Sequence, residues 1–171
     1  RDPAVSIEPL ASLYQKEEVP DNLDEICIPL GHSEVLKEGE HVTIITYGQS
    51  CHVAMEAAKK LEEMGINVEV VDLQTLSPLD INNVAKNSIK KTGKVLFVDE
   101  DIPNGAIPMI SKTLLGDTST TKNALFHAEE IGHITAPEHK PPYGADGKYF
   151  CKPQAEDIQF KICEMMGAKI R

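Results

Sequence analysis

The sequence predicts a three-layer α/β/α fold with a mostly parallel sheet of about five strands. Short runs rich in Val, Ile and Leu alternate along the chain with longer segments whose apolar residues recur every three or four positions. Glycine or proline lies at most of the boundaries, as expected where a strand passes into a helix or a helix ends. Strands that alternate with helices in this way are typical of a parallel sheet with helices on both faces.

The regular pattern begins near Glu34. Val42–Thr46 (VTIIT) is β-branched throughout, which predicts a buried strand. After the turn Tyr47-Gly48-Gln49, Ser50 is placed to cap a helix that extends to about Met64, and Gly65 is predicted to end that helix.

The rest of the chain predicts three more strands and three more helices. Ser77-Pro78 is expected to open the second helix, because proline is tolerated in a first turn. The predicted strands are residues 67–73, 94–98 and 131–136, and the predicted helices are residues 79–91, 106–115 and 154–166. In the last helix, Ile158, Ile162, Met165 and Met166 are expected to face the core.

The N-terminal residues fit this domain poorly. Residues 4–7 predict a short strand without a nearby partner, and residues 10–30 read as a connecting segment broken by prolines. An isolated strand is expected if it belongs to the sheet of a preceding domain. We therefore predict three parts: residues 1–14 as the tail of that domain, 15–33 as a linker and 34–171 as the α/β domain. A start at Arg1 suggests a fragment of a longer protein.

Composition narrows the possible partners and the compartment. The formal net charge is −10, from 17 basic and 27 acidic residues. Such a surface repels phosphate backbones, so nucleic acid is not an expected partner. A solvated acidic surface is the simplest interpretation, and a basic protein partner is the next. The four cysteines form no C-x-x-C pair, which predicts free thiols in a reducing cytoplasm, and no apolar run is long enough to predict a membrane span.

The common catalytic motifs are missing from the sequence. The turn from Tyr47 to Ser50 leads into a helix N-terminus, where an anion can bind, but one glycine and no lysine make a plain turn the preferred interpretation. The spacing of His127, His133 and His139 is too wide for a zinc pair. Cys51 and His52 are neighbours on the predicted helix and point in different directions, so a thiol nucleophile is not expected.

The acidic run Asp99-Glu100-Asp101 is the best candidate for a functional surface. It follows a buried strand, and in open α/β sheets the carboxyl ends of the strands form the functional edge. These residues are predicted either to be solvated or to dock a basic partner. No catalytic, cofactor-binding or metal-binding residue is predicted.

Several motifs, taken in order, resemble the C-terminal domain of transketolase-like thiamine-diphosphate enzymes. The likeness is greatest to the beta chain of pyruvate and branched-chain 2-oxo acid dehydrogenases. The motifs are IPLG at residues 28–31, VTIITYG at 42–48, VEVVDLQTLSPL at 68–79, KTGK to Asp99-Glu100 at 91–100, and the loop at 134–143. Gln74 and His133 stand where the family commonly has Arg, and Glu138 where it has Asp. Residues 2–14 resemble the end of the family's pyrimidine-binding domain.

The resemblance implies what the whole protein does and how this part contributes. One strand of the sheet would be antiparallel. The parent enzyme would use thiamine diphosphate and magnesium, bound in other domains, to decarboxylate a 2-oxo acid and acylate lipoamide, and this fragment would bind neither. Its partners would be an alpha subunit or alpha-like half, a second beta chain in a dimer or tetramer, and the dihydrolipoyl acyltransferase core. The alternatives are transketolase, deoxyxylulose-phosphate synthase, or a non-enzymatic docking module with an acidic edge.

Overall fold

The computed structural model describes residues 3–10, 12–16, 18–116, 128–140, 144 and 147–168. Within these residues the chain forms one open five-stranded sheet with the strand order β1-β3-β2-β4-β5. The strands are β1 (Glu34–Lys37), β2 (Val42–Thr46), β3 (Val68–Asp72), β4 (Lys94–Val98) and β5 (Glu130–Ile134). The pairs β2–β3, β2–β4 and β4–β5 are parallel, and β1 runs antiparallel along the outer side of β3.

Helices cover both faces of the sheet, which confirms the predicted three layers. They are α1 (Ser50–Glu63), α2 (Val84–Thr92), α3 (Ile107–Leu115), the single turn α4 (Gly147–Phe150) and α5 (Ala155–Met165). One core lies between the sheet and α1 and α5, where Leu61, Ile158 and Ile162 are fully buried. The other lies between the sheet and α2 and α3 and is centred on Phe97 and Ile89. None of the helices in the described ranges has the length and apolar character needed to cross a membrane.

The N-terminal segment carries little regular structure. Residues 4–7 were predicted to form a strand, and that prediction is wrong for this chain: they are extended and exposed, because no neighbouring strand offers them hydrogen bonds. Ser12–Tyr14 and Leu23–Glu25 are single turns of 3₁₀ helix. No described residue from 3 to 30 is buried, so this segment lies outside the core.

Helix α2 begins about five residues later than predicted. Pro78 lies in the loop after β3 and not in a helical turn. The side chain of buried Asp80 accepts hydrogen bonds from the backbone N–H groups of Ala85 (2.9 Å) and Lys86 (3.1 Å). These groups belong to the first turn of the helix, where backbone donors lack a partner within the helix. Asp80 therefore determines the start of α2, a role that the sequence pattern did not reveal.

A buried carboxylate connects the amino ends of the strands. Glu69 on β3 is fully buried and forms an ion pair with Lys91 at the end of α2. It also accepts a hydrogen bond from the backbone N–H of Gly39 at 3.3 Å, and Lys91 pairs with Glu38 at 2.7 Å. The turn between β1 and β2 is thereby fastened to β3 and α2.

Candidate functional site

The carboxyl ends of the four parallel strands lie along one edge of the sheet, and this carboxyl edge is the candidate site. The loop after β2 leads to α1 on one face, whereas the loop after β4 leads to α3 on the opposite face. The two connections therefore diverge between β2 and β4, which are neighbours in the sheet. Such a divergence point is where open α/β sheets usually bind their ligands.

Tyr47 and Asp99 form the central polar contact at this divergence point. The Tyr47 hydroxyl donates a hydrogen bond of 2.8 Å to Asp99 Oδ1, and the backbone N–H of Asp101 donates to the same oxygen at 3.1 Å. Asp99 is only 1% exposed, and its Oδ2 has no hydrogen-bond partner among the described residues. Burial, followed by the hydrogen bond with Asp99, raises the pKa of Tyr47 far above its usual range. The hydroxyl therefore stays protonated and keeps donating.

The structure divides the predicted docking residues into three different environments. Asp99 points inward, so its inclusion in a docking surface is wrong; its carboxylate is needed by Tyr47 and by the backbone. Glu100 forms an ion pair with Lys152, which precedes α5. Asp101 is exposed, and its Oδ1 accepts a hydrogen bond of 2.8 Å from the backbone N–H of Ile102. Glu100 and Asp101 are the two members that reach the surface, and docking through them stays a prediction.

The turn from Tyr47 to Ser50 is shaped for a helix start. Gly48 has φ of 57°, a conformation that glycine adopts without strain. Gln49, and not the predicted Ser50, is the N-cap residue of α1, although it makes no side-chain cap. Its Oε1 instead accepts a hydrogen bond of 2.7 Å from the hydroxyl of Ser12. Pro9 lies over Gly48, since a Cβ added to Gly48 would lie 3.6 Å from Pro9 Cγ. The N-terminal segment thus contacts the turn through Pro9 and Ser12, and Gly48 itself stays exposed.

Cys51 and Asp72 form a second buried pair at the same edge. The Cys51 thiol lies near the carboxyl group of Asp72 at the end of β3. Burial, followed by the negative charge of Asp72, raises the pKa of Cys51 far above its usual range, and burial also raises the pKa of Asp72. A thiol held in the protonated form is a poor nucleophile. The next residue, His52, is exposed, in agreement with the expectation that the two do not act together.

The histidines do not come together as a metal site. His127 lies outside the described residues. His133 on β5 stacks its ring on Phe97, with the ring centres 5.4 Å apart, and burial followed by the charge of Lys161 lowers its pKa. His139 is in an exposed loop after β5, where its Nδ1 lies 3.1 Å from the carbonyl oxygen of Lys140. Across the described ranges, no group of three or more His, Cys, Asp or Glu side chains is arranged to hold a metal ion.

An open groove of about 580 Å³ lies beside the carboxyl end of β5. Ile134 and Thr135 line one side, and Tyr149, Phe150 and Gln154 line the other. The rings of Tyr149 and Phe150 meet edge to face and are both more than half exposed. The hydrogen bonds from Gln154 Nε2 go to the backbone carbonyls of Tyr149 and Lys152 at 3.2 and 2.8 Å. The groove therefore combines two exposed aromatic rings with polar and charged side chains, among them Lys152 and Asp157.

Two residues that depart from the family's usual pattern, Gln74 and Glu138, form hydrogen bonds with neighbouring elements. Gln74 has φ of 56° and donates from Nε2 to Glu34 Oε2 at 2.8 Å, which links β3 to β1. Glu138 accepts a hydrogen bond of 3.2 Å from the amide of Asn104, which links the loops after β4 and β5. A neutral amide replaces the cation that the resemblance leads one to expect at position 74. The contact with Glu34 is therefore a hydrogen bond and not an ion pair.

The fold and this edge define the class of protein: an open α/β domain with helices on both faces and a divergence point between two central strands. The chain belongs to the transketolase C-terminal domain family, whose model, described as "Transketolase, C-terminal domain", matches residues 31–148. The prediction of this family from the motif order is thereby confirmed.

Similar proteins carry the names of beta subunits. The 2-oxoisovalerate dehydrogenase subunit beta of Bacillus subtilis (strain 168) is 46% identical over 92 residues, which are 54% of this chain and 27% of that protein. The pyruvate dehydrogenase E1 component subunit beta of Acholeplasma laidlawii is 34% identical over 173 residues, which are 98% of this chain and 49% of that protein. The chain thus spans about half the length of the latter.

A solved structure supports the same assignment. The split-gene transketolase in an inactive beta4 tetramer superposes with a TM-score of 0.66 at 26% identity. The superposition covers 91% of this chain and 47% of that chain. The likeness therefore extends over almost the whole of this chain.

Sequence reasoning missed three residues that organise the edge: Tyr47, Asp72 and Lys152. Each has a partner that is distant in the sequence, and the Tyr47–Asp99 contact spans 52 positions. Their positions in the sequence could have indicated this role, because Tyr47 follows β2 directly and Asp72 ends β3. Polar residues at the carboxyl ends of adjacent parallel strands are expected to meet.

Proposed function

We propose that this chain is the C-terminal domain of the beta chain of a thiamine-diphosphate-dependent 2-oxo acid dehydrogenase. The observation that carries the proposal is the 34% identity with a pyruvate dehydrogenase E1 beta subunit along 98% of this chain. The similarity to a 2-oxoisovalerate dehydrogenase beta subunit supports the same enzyme class with a branched substrate. The parent would decarboxylate a 2-oxo acid, either pyruvate or a branched-chain acid, and transfer the acyl group to lipoamide.

Within the parent, this domain contributes to assembly and not to chemistry. Thiamine diphosphate supplies the carbanion chemistry when it is bound. In this proposal the domain holds neither that cofactor nor its magnesium ion, since the turn from Tyr47 to Ser50 offers one glycine and no lysine, and no group of three or more His, Cys, Asp or Glu side chains in the described ranges is arranged to hold a metal ion. In this proposal, residues 1–14 are the end of the pyrimidine-binding domain and residues 15–33 link it to this one.

The parent would assemble with an alpha subunit or alpha-like half, a second beta chain in a dimer or tetramer, and the dihydrolipoyl acyltransferase core, all in the cytoplasm. The beta4 assembly of the split transketolase supports contacts between beta chains. For the acyltransferase we propose docking through Glu100 and Asp101, because a basic domain is attracted by exposed carboxylates.

A transketolase half is the second candidate. The superposition on the split-gene transketolase favours it, since it covers 91% of this chain at 26% identity. The two candidates differ in substrate: a transketolase transfers a two-carbon unit between sugar phosphates. Release of CO₂ from a 2-oxo acid by the assembled parent would favour the dehydrogenase, and transfer from a ketose phosphate would favour the transketolase.

The proposed function is tested first by isothermal titration with thiamine diphosphate and magnesium. This domain and the full-length beta chain with its alpha partner are titrated side by side. We expect no heat of binding with the domain and saturable binding with the assembled enzyme, which should also release CO₂ from pyruvate or 2-oxoisovalerate. Tight binding by the domain alone would contradict the proposal and would return attention to the turn at Gly48.

A further inference from the structure

We propose that Asn104 is a site of spontaneous deamidation and that its contact with Glu138 restrains this reaction in the folded protein. Asn104 is the only one of the seven asparagines in the sequence that precedes a glycine. It lies in the loop after β4, at the carboxyl edge, and is exposed to water. Water is the only co-reactant that the modification needs, so it does not depend on the proposed 2-oxo acid reaction.

Deamidation begins when the backbone nitrogen of Gly105 attacks Cγ of Asn104. The new C–N bond closes a five-membered succinimide ring, the bond from Cγ to the side-chain nitrogen breaks, and the proton lost by Gly105 leaves with the amide as ammonia. Water then adds to either ring carbonyl. One opening gives aspartate, and the other gives isoaspartate, in which the backbone passes through the side chain. Glycine favours the attack, because it has no side chain to obstruct its nitrogen.

The fold places this Asn-Gly pair in an exposed reverse turn. The backbone N–H of Gly105 donates to the carbonyl oxygen of Ile102 at 2.9 Å, which closes a four-residue turn with Pro103 and Asn104 at its centre. Asp101 lies against the bare Cα of Gly105, since an added Cβ would be 2.6 Å from Asp101 Oδ2. The turn belongs to no helix or strand, so it can open without disturbing the core.

Two hydrogen bonds restrain the reaction while the turn is closed. The Asn104 amide donates to Glu138 Oε1 at 3.2 Å, which holds the side chain toward the loop after β5. The N–H of Gly105 is occupied by Ile102, so the nitrogen is not free to attack. Both bonds must open before the ring can close. Because Asn104 and Glu138 are both exposed, such openings are local, and the rate should follow the fraction of time that the turn is open.

Deamidation changes the link between the loops after β4 and β5. An amide that donates to Glu138 becomes a second carboxylate beside it, and two like charges in contact repel each other. Isoaspartate also lengthens the backbone of the turn by one atom. We expect the loops to separate at this point, while the backbone hydrogen bond from the Ala136 N–H to the carbonyl oxygen of Asp101 at 2.9 Å keeps their bases together.

The site is tested by incubating the full-length protein at mildly alkaline pH and following each asparagine by peptide mapping with mass spectrometry. Asn22 is the matched control, because it is also exposed in a turn but precedes Leu23, whose side chain hinders the nitrogen. We expect Asn104 to lose its amide at least about tenfold faster than Asn22, a difference of about 1.4 kcal/mol in activation free energy. Equal rates at the two sites, or aspartate at position 104 without isoaspartate, would overturn the proposal.

Two variants test the restraint by Glu138. Glu138→Ala removes the acceptor, whereas Glu138→Gln keeps an oxygen that can accept the same hydrogen bond. We expect Asn104 to react about two- to tenfold faster in Glu138→Ala than in the unaltered protein, the effect of losing one exposed hydrogen bond, and at an almost unchanged rate in Glu138→Gln. In urea, where the turn is open, all three proteins should react at one higher rate. An unchanged rate in folded Glu138→Ala, shown to be folded by its cooperative urea unfolding, refutes the restraint.

Discussion

At the residue scale, the Asp99 carboxylate dominates the polar structure of the carboxyl edge. A carboxylate that is 1% exposed has lost its hydration, and protein donors must replace it. Two donors reach it, the Tyr47 hydroxyl and the backbone N–H of Asp101. Because the Oδ2 atom already has no partner among the described residues, the loss of either donor leaves a poorly compensated charge. The Tyr47–Asp99 bond also joins the ends of β2 and β4, whose loops diverge at this point.

Replacing Tyr47 with Phe tests the importance of this bond. Tyr47→Phe keeps the ring but removes the donor, so we expect the free energy of unfolding in urea at pH 7 to fall by about 1–3 kcal/mol. The control is Tyr14→Phe, whose side chain is largely exposed and whose loss should change little. Similar stabilities for the two variants would show that Asp99 is adequately solvated without Tyr47.

The same pair predicts how stability depends on alkaline pH. The folded-state pKa of Tyr47 lies above its unfolded value of about 10, first because of burial and then because of Asp99. Its contribution is therefore fully present below about pH 10 and is lost as the pH rises further, since only the unfolded state then releases the proton. Urea unfolding between pH 8 and 11 should show a shallower decline for Tyr47→Phe than for the unaltered protein. Parallel declines would exclude Tyr47 as the source.

At the element scale, the sequence was most informative where a helix or strand is buried along a regular face. The periodicity of α1 and α5 and the β-branched runs of β2 and β4 predicted these elements to within about two residues. Three features were not predicted correctly. No strand was assigned to Glu34–Lys37, a short edge strand with little burial. Residues 4–7 lack a partner strand, and α2 starts where Asp80 supplies hydrogen bonds and not where Pro78 allows a turn.

Gly39, in the turn between β1 and β2, provides a test of how tightly two elements pack. A Cβ at this position would lie 2.2 Å from the carbonyl carbon of Val68 and 2.3 Å from the N of Glu69, so the backbone of the turn or of β3 must move. The backbone N–H of Gly39 would then also leave buried Glu69. We expect Gly39→Ala to lower the free energy of unfolding by about 3 kcal/mol or more.

Gly65, in the loop between α1 and β3, is the control. It has φ of 79° and nothing within 4 Å of an added Cβ. Gly65→Ala should therefore cost only the left-handed backbone strain, about 1–2 kcal/mol. Urea unfolding of both variants separates the effect of the steric conflict from that of the backbone strain. If the two variants lose the same free energy of unfolding, the steric conflict between position 39 and β3 adds little.

At the scale of the whole molecule, the sequence predicted the layers and the family but not the arrangement of the edge. Layers follow from alternating patterns, which are local. The site depends on contacts between distant residues, such as Tyr47 with Asp99 and Ser12 with Gln49, and no local pattern encodes them. The acidic run illustrates the difference: three adjacent acidic residues look alike in the sequence, but the fold buries one, pairs one with Lys152 and exposes the third.

The N-terminal segment lies outside the core and α5 lies within it, so truncation from the two ends should affect stability differently. None of the described residues from 3 to 30 is buried, whereas α5 contributes the fully buried Ile158 and Ile162 to the core beside α1. Removing residues 1–29 should change the free energy of unfolding by no more than about 1 kcal/mol, roughly the contribution of the Ser12–Gln49 hydrogen bond. Removing residues 154–171 should abolish cooperative unfolding, because loss of a large buried side chain alone costs about 2–5 kcal/mol. Circular dichroism during urea unfolding distinguishes the two variants. A large loss of stability in the first variant would mean that residues 3–30 belong to the folding unit, and the boundary near Gly31 would then have to move toward the N-terminus.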